Sequence, residues 1–171
     1  MSGKGDGIFL VALYGDGFKL LELKKNDKKY KRLLQEYQDY IKPFMPDPKE
    51  IKKHYPNDKS IEFMLFKTVG TDYKDIIGCF IIYSIKKDEC RLGCFVKPDF
   101  RRKYYSKKAH NRLFEFIKSR LKINKVIVEV LSTNSKSISM FEKLGFVRDG
   151  DSKIMECQGQ PSLFYTFTKD I

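Results

Sequence analysis

The 171-residue sequence predicts an α/β fold of the mixed α+β kind: a mostly antiparallel sheet of about seven strands with helices on both faces. Three observations carry this expectation. The apolar period switches along the chain in the order β(β)ααβββαβαββ. Residues 76–85 are apolar on both strand faces, as in a central strand covered on both sides. Ala109, Leu113, Phe116, Ile117 and Leu121 recur at i, i+4, i+7, i+8 and i+12, the buried stripe of one long helix. The length fits a single domain over residues 1–171, with an added N-terminal strand or hairpin at about residues 7–23.

The elements follow in order. Apolar runs at 8–14 and 18–23 flank Gly15-Asp16-Gly17, a hairpin turn. Asp27 suits an N-cap, and Tyr30, Leu33, Leu34, Tyr37 and Ile41 then keep helical spacing up to Pro43. A short helix starts at Asp47-Pro48-Lys49-Glu50, with a cap residue, a first-turn proline and a carboxylate three after the cap, and Pro56 ends it. Runs at 61–69, 76–85 and 90–96 form an antiparallel meander. The long helix comes next, then a buried strand at 126–131 and a helix through Ile138, Phe141 and Leu144 that stops at Gly145. Two strands near 146–155 and 163–168 close the chain.

Composition narrows the function classes. The chain carries 34 basic and 22 acidic residues, a net charge of +12, which attracts phosphate, nucleic acid or acidic surfaces. Of the basic residues 27 are Lys and 7 are Arg, beside abundant Ile, Phe and Tyr, a composition that an AT-rich genome would also impose through its codons. The four cysteines form no CxxC pair and the two histidines are far apart, so no zinc spacing exists and no metal is expected. No run is long enough to span a membrane, and Ser2 stands where myristoylation needs glycine. A cytoplasmic protein without membrane association, monomeric or homodimeric, is expected.

Two stretches carry chemistry. Residues 92–113 read LGCFVKPDFRRKYYSKKAHNRL, a strand, proline turn, basic loop and helix; residues 129–150 read EVLSTNSKSISMFEKLGFVRDG. Together, and most specifically through Asn134, Ser137, Lys143, Gly145, Phe146 and Gly150, they resemble the GNAT superfamily of acetyl-CoA-dependent N-acetyltransferases, in the branch of the ribosomal-protein N-terminal and spermidine enzymes. The resemblance covers about residues 18–171.

It implies a set of site residues. The family's pyrophosphate loop, Q/R-x-x-G-x-G/A at a helix N-terminus, corresponds to Arg101, Arg102, Lys103, Tyr104, Tyr105 and Ser106. Tyr104 replaces a glycine, at roughly 1 to 2 kcal/mol if that backbone is left-handed. Read without the resemblance, the loop is a solvated basic helix start or an RNA-facing patch. The pantetheine arm would lie along Cys94, Phe95 and Val96, with Gly93 suited to a bulge or serving as a plain strand glycine. Asn134 and Ser137 would contact the cofactor, Asn134 being otherwise a turn residue or N-cap. Glu129 corresponds to the family's general base; the alternative is a glutamate paired with a neighbouring Lys or Arg. Phe141 stands where the family has a tyrosine acid, leaving Ser132, Thr133, Ser137 or Tyr105 as substitute donors.

The implied activity is acetyl transfer from acetyl-CoA to a primary amine by direct attack. A protein or peptide amine is favoured over a polyamine or aminoglycoside, because a basic chain suits a polycation poorly. The acceptor pocket would draw on Tyr40, Phe44, His54 and Tyr55 and on residues 155–164. The rival reading is a degenerate, non-catalytic GNAT-like module that holds CoA or RNA, nucleic acid being the less favoured partner.

Overall fold

Short apolar runs bounded by Gly, Asp and Lys clusters close into one eight-stranded sheet, which takes in all eight apolar runs where about seven strands were expected. The computed structural model describes residues 11–23, 28, 35, 38, 41–56, 59–67, 76–101 and 105–171. Its strands are β1 (Ala12–Gly15), β2 (Phe18–Glu22), β3 (Ile61–Lys67), β4 (Ile76–Tyr83), β5 (Glu89–Val96), β6 (Lys125–Leu131), β7 (Val147–Cys157) and β8 (Gln160–Asp170). Three described helices join them: α1 (Pro48–His54), α2 (Tyr105–Ser119) and α3 (Ser135–Lys143). The spatial order is β1-β2-β3-β4-β5-β6-β8-β7.

The N-terminal hairpin forms as its turn predicts. β1 pairs with β2 from Ala12↔Leu21 to Gly15↔Phe18, and Gly17 takes φ +76°, which a side chain would resist. In the segment expected to be the first helix, Lys28, Gln35, Gln38 and Ile41 are helical, whereas Asp27, Tyr30, Leu33, Leu34 and Tyr37 lie outside the described residues. Asp47 is the N-cap residue of α1, as expected, with its main-chain carbonyl accepting from the amides of Glu50 and Ile51. Its carboxylate makes no cap bond and instead accepts from the amides of Gln158 and Gly159, at 2.8 Å each, tying α1 to the β7–β8 turn. Leu121 departs from its expected helix, because α2 ends at Ser119 and Leu121 packs from the turn beyond.

β4 sits in the interior of the sheet, and the two faces have different partners. On one face Phe63, Leu65, Phe80, Ile82, Leu92, Val126, Val128 and Val130 pack against Leu113, Phe116 and Ile117 of α2 and Phe141 of α3. On the other, Met64, Phe66, Ile76 and Phe95 meet Ile41, and Leu131, Met155, Cys157 and Phe164 form a separate cluster. A strand's side chains alternate between faces, so Arg91 and Glu129 fall on this second side, away from α2 and α3.

All neighbouring strands run antiparallel except β5 and β6. That parallel pairing spans three residue pairs, Glu89↔Lys125, Cys90↔Val126 and Arg91↔Ile127. Beyond it both strands continue, β5 on β4 as far as Gly78↔Val96 and β6 on β8 as far as Leu131↔Phe164. The sheet therefore splays open from Leu92 and Val128 onward. Gly78 helps hold β4 and β5 close, since a Cβ there would strike the carbonyl oxygen of Phe95.

Candidate active site

The splay presents two strand edges to each other, β5 at residues 92–96 and β6 at residues 128–131. Phe95 and Val96 are buried and Cys94 is half-buried at the end of β5. Burial chiefly pushes the Cys94 thiol up to about 12, with Cys79 adding to the shift and Arg101 opposing it, so this sulfur is neutral. Gly93 forms no bulge. It pairs in regular register with Ile81, whose Cγ2 lies 3.0 Å from where a Cβ would stand, so the glycine makes room for that side chain. The opening comes instead from the end of the β5–β6 pairing.

Past β5, a 3₁₀ turn at Pro98–Phe100 leads to α2. Arg101 folds back: its Nε donates to the Val96 carbonyl at 2.8 Å and its guanidinium carbon lies 5.6 Å from the Phe95 ring centre. Arg102, Lys103 and Tyr104 lie outside the described residues. Tyr105 opens α2 with its ring 6.3 Å from that of Phe100. Ser106 Oγ donates to Met140 Sδ of α3 at 3.3 Å, so the first turn of α2 touches α3. Asn134 is the N-cap of α3, its Oδ1 accepting from the Ser137 amide at 3.3 Å. Phe141 is 5% exposed and meets His110 and Phe146 edge-on, with ring centres 5.8 and 5.2 Å away. His110 is fully buried, and that burial lowers its pKa to about 4, so the imidazole is neutral.

Glu129 lies on the opposite face, two residues beyond the last β5–β6 pair. Its carboxylate is 5% exposed and gathers three side chains from three elements. The hydroxyl of Tyr55, at the end of α1, donates to it at 2.7 Å, and Lys153 of β7 donates at 2.8 Å. Arg91 Nη1 stands 2.9 Å from the same carboxylate as an ion pair without hydrogen-bond geometry. The Arg91 guanidinium and Lys153 ammonium also lie over the Tyr55 ring, 4.9 and 5.3 Å from its centre. Burial, and then the bond to Glu129, raise the Tyr55 pKa, so the phenol keeps its proton and remains a donor.

Of the two sequence readings of Glu129, the paired one describes its contacts. Arg91 and Lys153 went unnoticed in the sequence. Arg91 carries the same signal as Glu129, a lone charge inside an apolar strand run. Among the residues expected at the acceptor pocket, Tyr55 joins the cluster and His54 lines the cleft beside it. Phe44 is exposed, and Tyr40 lies outside the described residues.

The fold and the chemistry can be set beside known proteins. The acetyltransferase (GNAT) domain family matches residues 22–147. The chain belongs to the GNAT acetyltransferase family. Among solved structures, the ribosomal-protein-S5-alanine acetyltransferase from Vibrio fischeri superposes with a TM-score of 0.75 at 16% identity, covering 94% of this chain and 96% of that one. Spermidine N-acetyltransferase from Vibrio cholerae, in complex with CoA and spermine, gives 0.68 at 16% identity over 90% and 95% of the two chains. The N-acetyltransferase PseH of Campylobacter jejuni gives 0.61 at 18% identity over 91% and 99%. No curated protein matches the chain significantly in sequence.

As a GNAT domain, the protein is an acetyl-CoA-dependent N-acetyltransferase, and two clefts lie near its sheet, one reaching the splayed end of β6 and the other the last paired residue of β5. One of about 460 Å³ is lined by Pro43, Leu131, Ser132, Thr133, Cys157 and the β7–β8 turn, all uncharged at this site. The other, of about 380 Å³, runs between the end of α1, the β4–β5 turn and β7, and its wall includes Tyr55, Arg91 and Lys153 of the Glu129 cluster. Among the described residues no group of His, Cys, Asp and Glu can hold a metal ion, and no helix is long and apolar enough to cross a membrane.

Proposed function

We propose that this GNAT domain, with the whole chain acting as one unit, moves acetyl from acetyl-CoA to the primary amine of a peptide or protein by direct attack. The observation that carries the acceptor class is the charge of the cleft beside Glu129, which is walled by Arg91, Lys153 and Lys86 where a polyamine would need converging carboxylates.

Acetyl-CoA supplies an activated thioester, and the splay fits its pantetheine arm. The facing edges of β5 at Cys94, Phe95 and Val96 and of β6 accept an extended guest as a further strand would be accepted. The first turn of α2, with Arg101 at its approach and Ser106 within it, offers backbone N–H groups and positive charge to phosphate. Asn134 and Ser137, at the start of α3 just past β6, would meet the cofactor first, and Phe141 lies buried further along the same helix. The acceptor amine approaches from the other face. Its lone pair attacks the thioester carbon, the C–S bond breaks, and the amine's proton passes through water to Glu129. With phenylalanine at 141, the thiolate departs without a tyrosine donor, tolerable for a thiol of reference pKa about 8.5.

The test is CoA release from acetyl-CoA with peptides, polyamines and aminoglycosides as acceptors, beside thermal shift with CoA. Peptide acetylation, and a CoA-induced shift that shrinks in Arg101→Ala, are expected. A CoA shift with no transfer to any acceptor would establish the non-catalytic module instead, and transfer to polyamines alone would overturn the peptide reading.

A further inference from the structure

The cations around the second cleft outnumber their partners. Lys86 is offset by Glu89 at 3.5 Å, and His54 faces Glu50 at 3.7 Å. Arg91 and Lys153 share a single carboxylate, Glu129, which leaves one positive charge in surplus at a site where the two side chains are 14% and 33% exposed. Arg91 Nη1 is buried and makes no hydrogen bond, although an arginine carries five N–H donors in a fixed fork. Nη1 is ion-paired with Glu129 at 2.9 Å but out of hydrogen-bond line, and a surplus cation in a part-buried site is unfavourable; an oxyanion is the ligand that relieves it, by a charge-assisted and often bidentate bond.

The position of this surplus relates it to the acceptor. Arg91 is the last β5 residue paired with β6, and the splay begins at the next residue. With a rise of about 3.3 Å per residue, Arg91 lies one or two residues of extended chain from the start of the opening. We propose that the cleft of Arg91, Lys153 and Tyr55 is an anion subsite for the acceptor, which therefore carries a carboxylate or phosphate on its second or third residue, the residue bearing the amine being the first. This rests on the acetyltransferase reading above. Tyr55 has a positioning part: its ring supports both cations while its hydroxyl holds Glu129.

The experiment compares peptides with N-terminal alanine that differ only at residues two and three, both being Asp, phosphoserine, Asn or Lys. The expected result is a kcat/KM for the Asp peptide about ten-fold above that for the Asn peptide, carried mainly by KM, with the Lys peptide poorest. Phosphoserine above Asp identifies a phosphate site; Asp above phosphoserine identifies a carboxylate site. In Arg91→Gln and, independently, in the milder Lys153→Gln, the Asp-to-Asn ratio should fall toward one, a ratio unaffected by a general loss of activity. Equal rates for Asp and Asn peptides in the wild type, or a preference for Lys, overturn the subsite and leave the acetyltransferase reading intact. If no peptide is acetylated, the fluorescence anisotropy of a labelled Asp peptide decides. Binding that weakens in Lys153→Gln supports the subsite while the transferase reading fails, and no binding refutes the subsite.

Discussion

Replacing Glu129 by Gln removes one charge and almost no volume, and it tests the centre of the site. The carboxylate is 5% exposed and faces Arg91, 14% exposed, at 2.9 Å; breaking a buried pair on one side costs about 3 to 5 kcal/mol. Lys153 is a third exposed, so its share is screened to under about 1 kcal/mol. The amide oxygen still accepts from Tyr55, which spares that bond and puts the net effect near 3 kcal/mol. For a chain of this size 1 kcal/mol moves Tm by about 2 to 4 °C, so the variant should melt about 6 to 12 °C lower at pH 7. Circular dichroism melts measure this directly. Melting within 2 °C of wild type would refute the reasoning, because the cations would then not depend on this carboxylate. Kinetics below the melting range separate the two roles of Glu129. A lost proton acceptor lowers kcat/KM by about 10² or more at neutral pH, with partial recovery at high pH where the amine deprotonates unaided. A loss independent of pH assigns Glu129 to positioning alone.

Other expectations follow from the packing. His110, with its pKa near 4 folded against about 6.5 unfolded, binds a proton more readily when unfolded; its contribution is intact above pH 6.5 and falls by roughly 3 kcal/mol down to pH 4. That part of the acid slope in urea unfolding should vanish in His110→Gln. Gly78→Ala should destabilise by about 1 to 3 kcal/mol in the same assay, since its Cβ meets the Phe95 carbonyl. Asp47→Ala removes the acceptor of two amides, and hydrogen exchange at Gln158 and Gly159 should accelerate with about 1 to 2 kcal/mol lost. Phe141→Tyr should raise kcat if thiolate departure limits transfer. A stability loss of several kcal/mol would show the ring sealed among His110 and Phe146, away from the cofactor.

The fold was legible wherever local chemistry decided it. The Asp16-Gly17 turn, the proline starts of α1 and of the 3₁₀ turn, and the stripe of α2 each follow from residues within one turn of each other. Asp47, an N-cap without a side-chain cap bond, and Gly93, a plain strand glycine and not a bulge, share one reason. Each has a respectable local role, cap or bulge, and each is recruited by a partner far along the chain: the β7–β8 turn for Asp47 and Ile81 for Gly93. The site divides the same way. Asn134 and Glu129 stand out by type and position, but their contacts differ in reach. Asn134 bonds three residues away, whereas Glu129 draws partners from residues 55, 91 and 153, which no spacing rule connects.

The three-pair seam between β5 and β6 also has a mechanical meaning. Long antiparallel ladders hold β1 to β5 together on one side and β6 to β8 on the other, so the sheet behaves as two stiff plates riveted along a short line. A force drawing the outer strands apart would concentrate at that line and tear it first. An extended guest lodged just past the seam adds rungs to it, lengthens the rivet line and moves the weakest point elsewhere. Pulling across the sheet with and without CoA would therefore read occupancy as a change in rupture force.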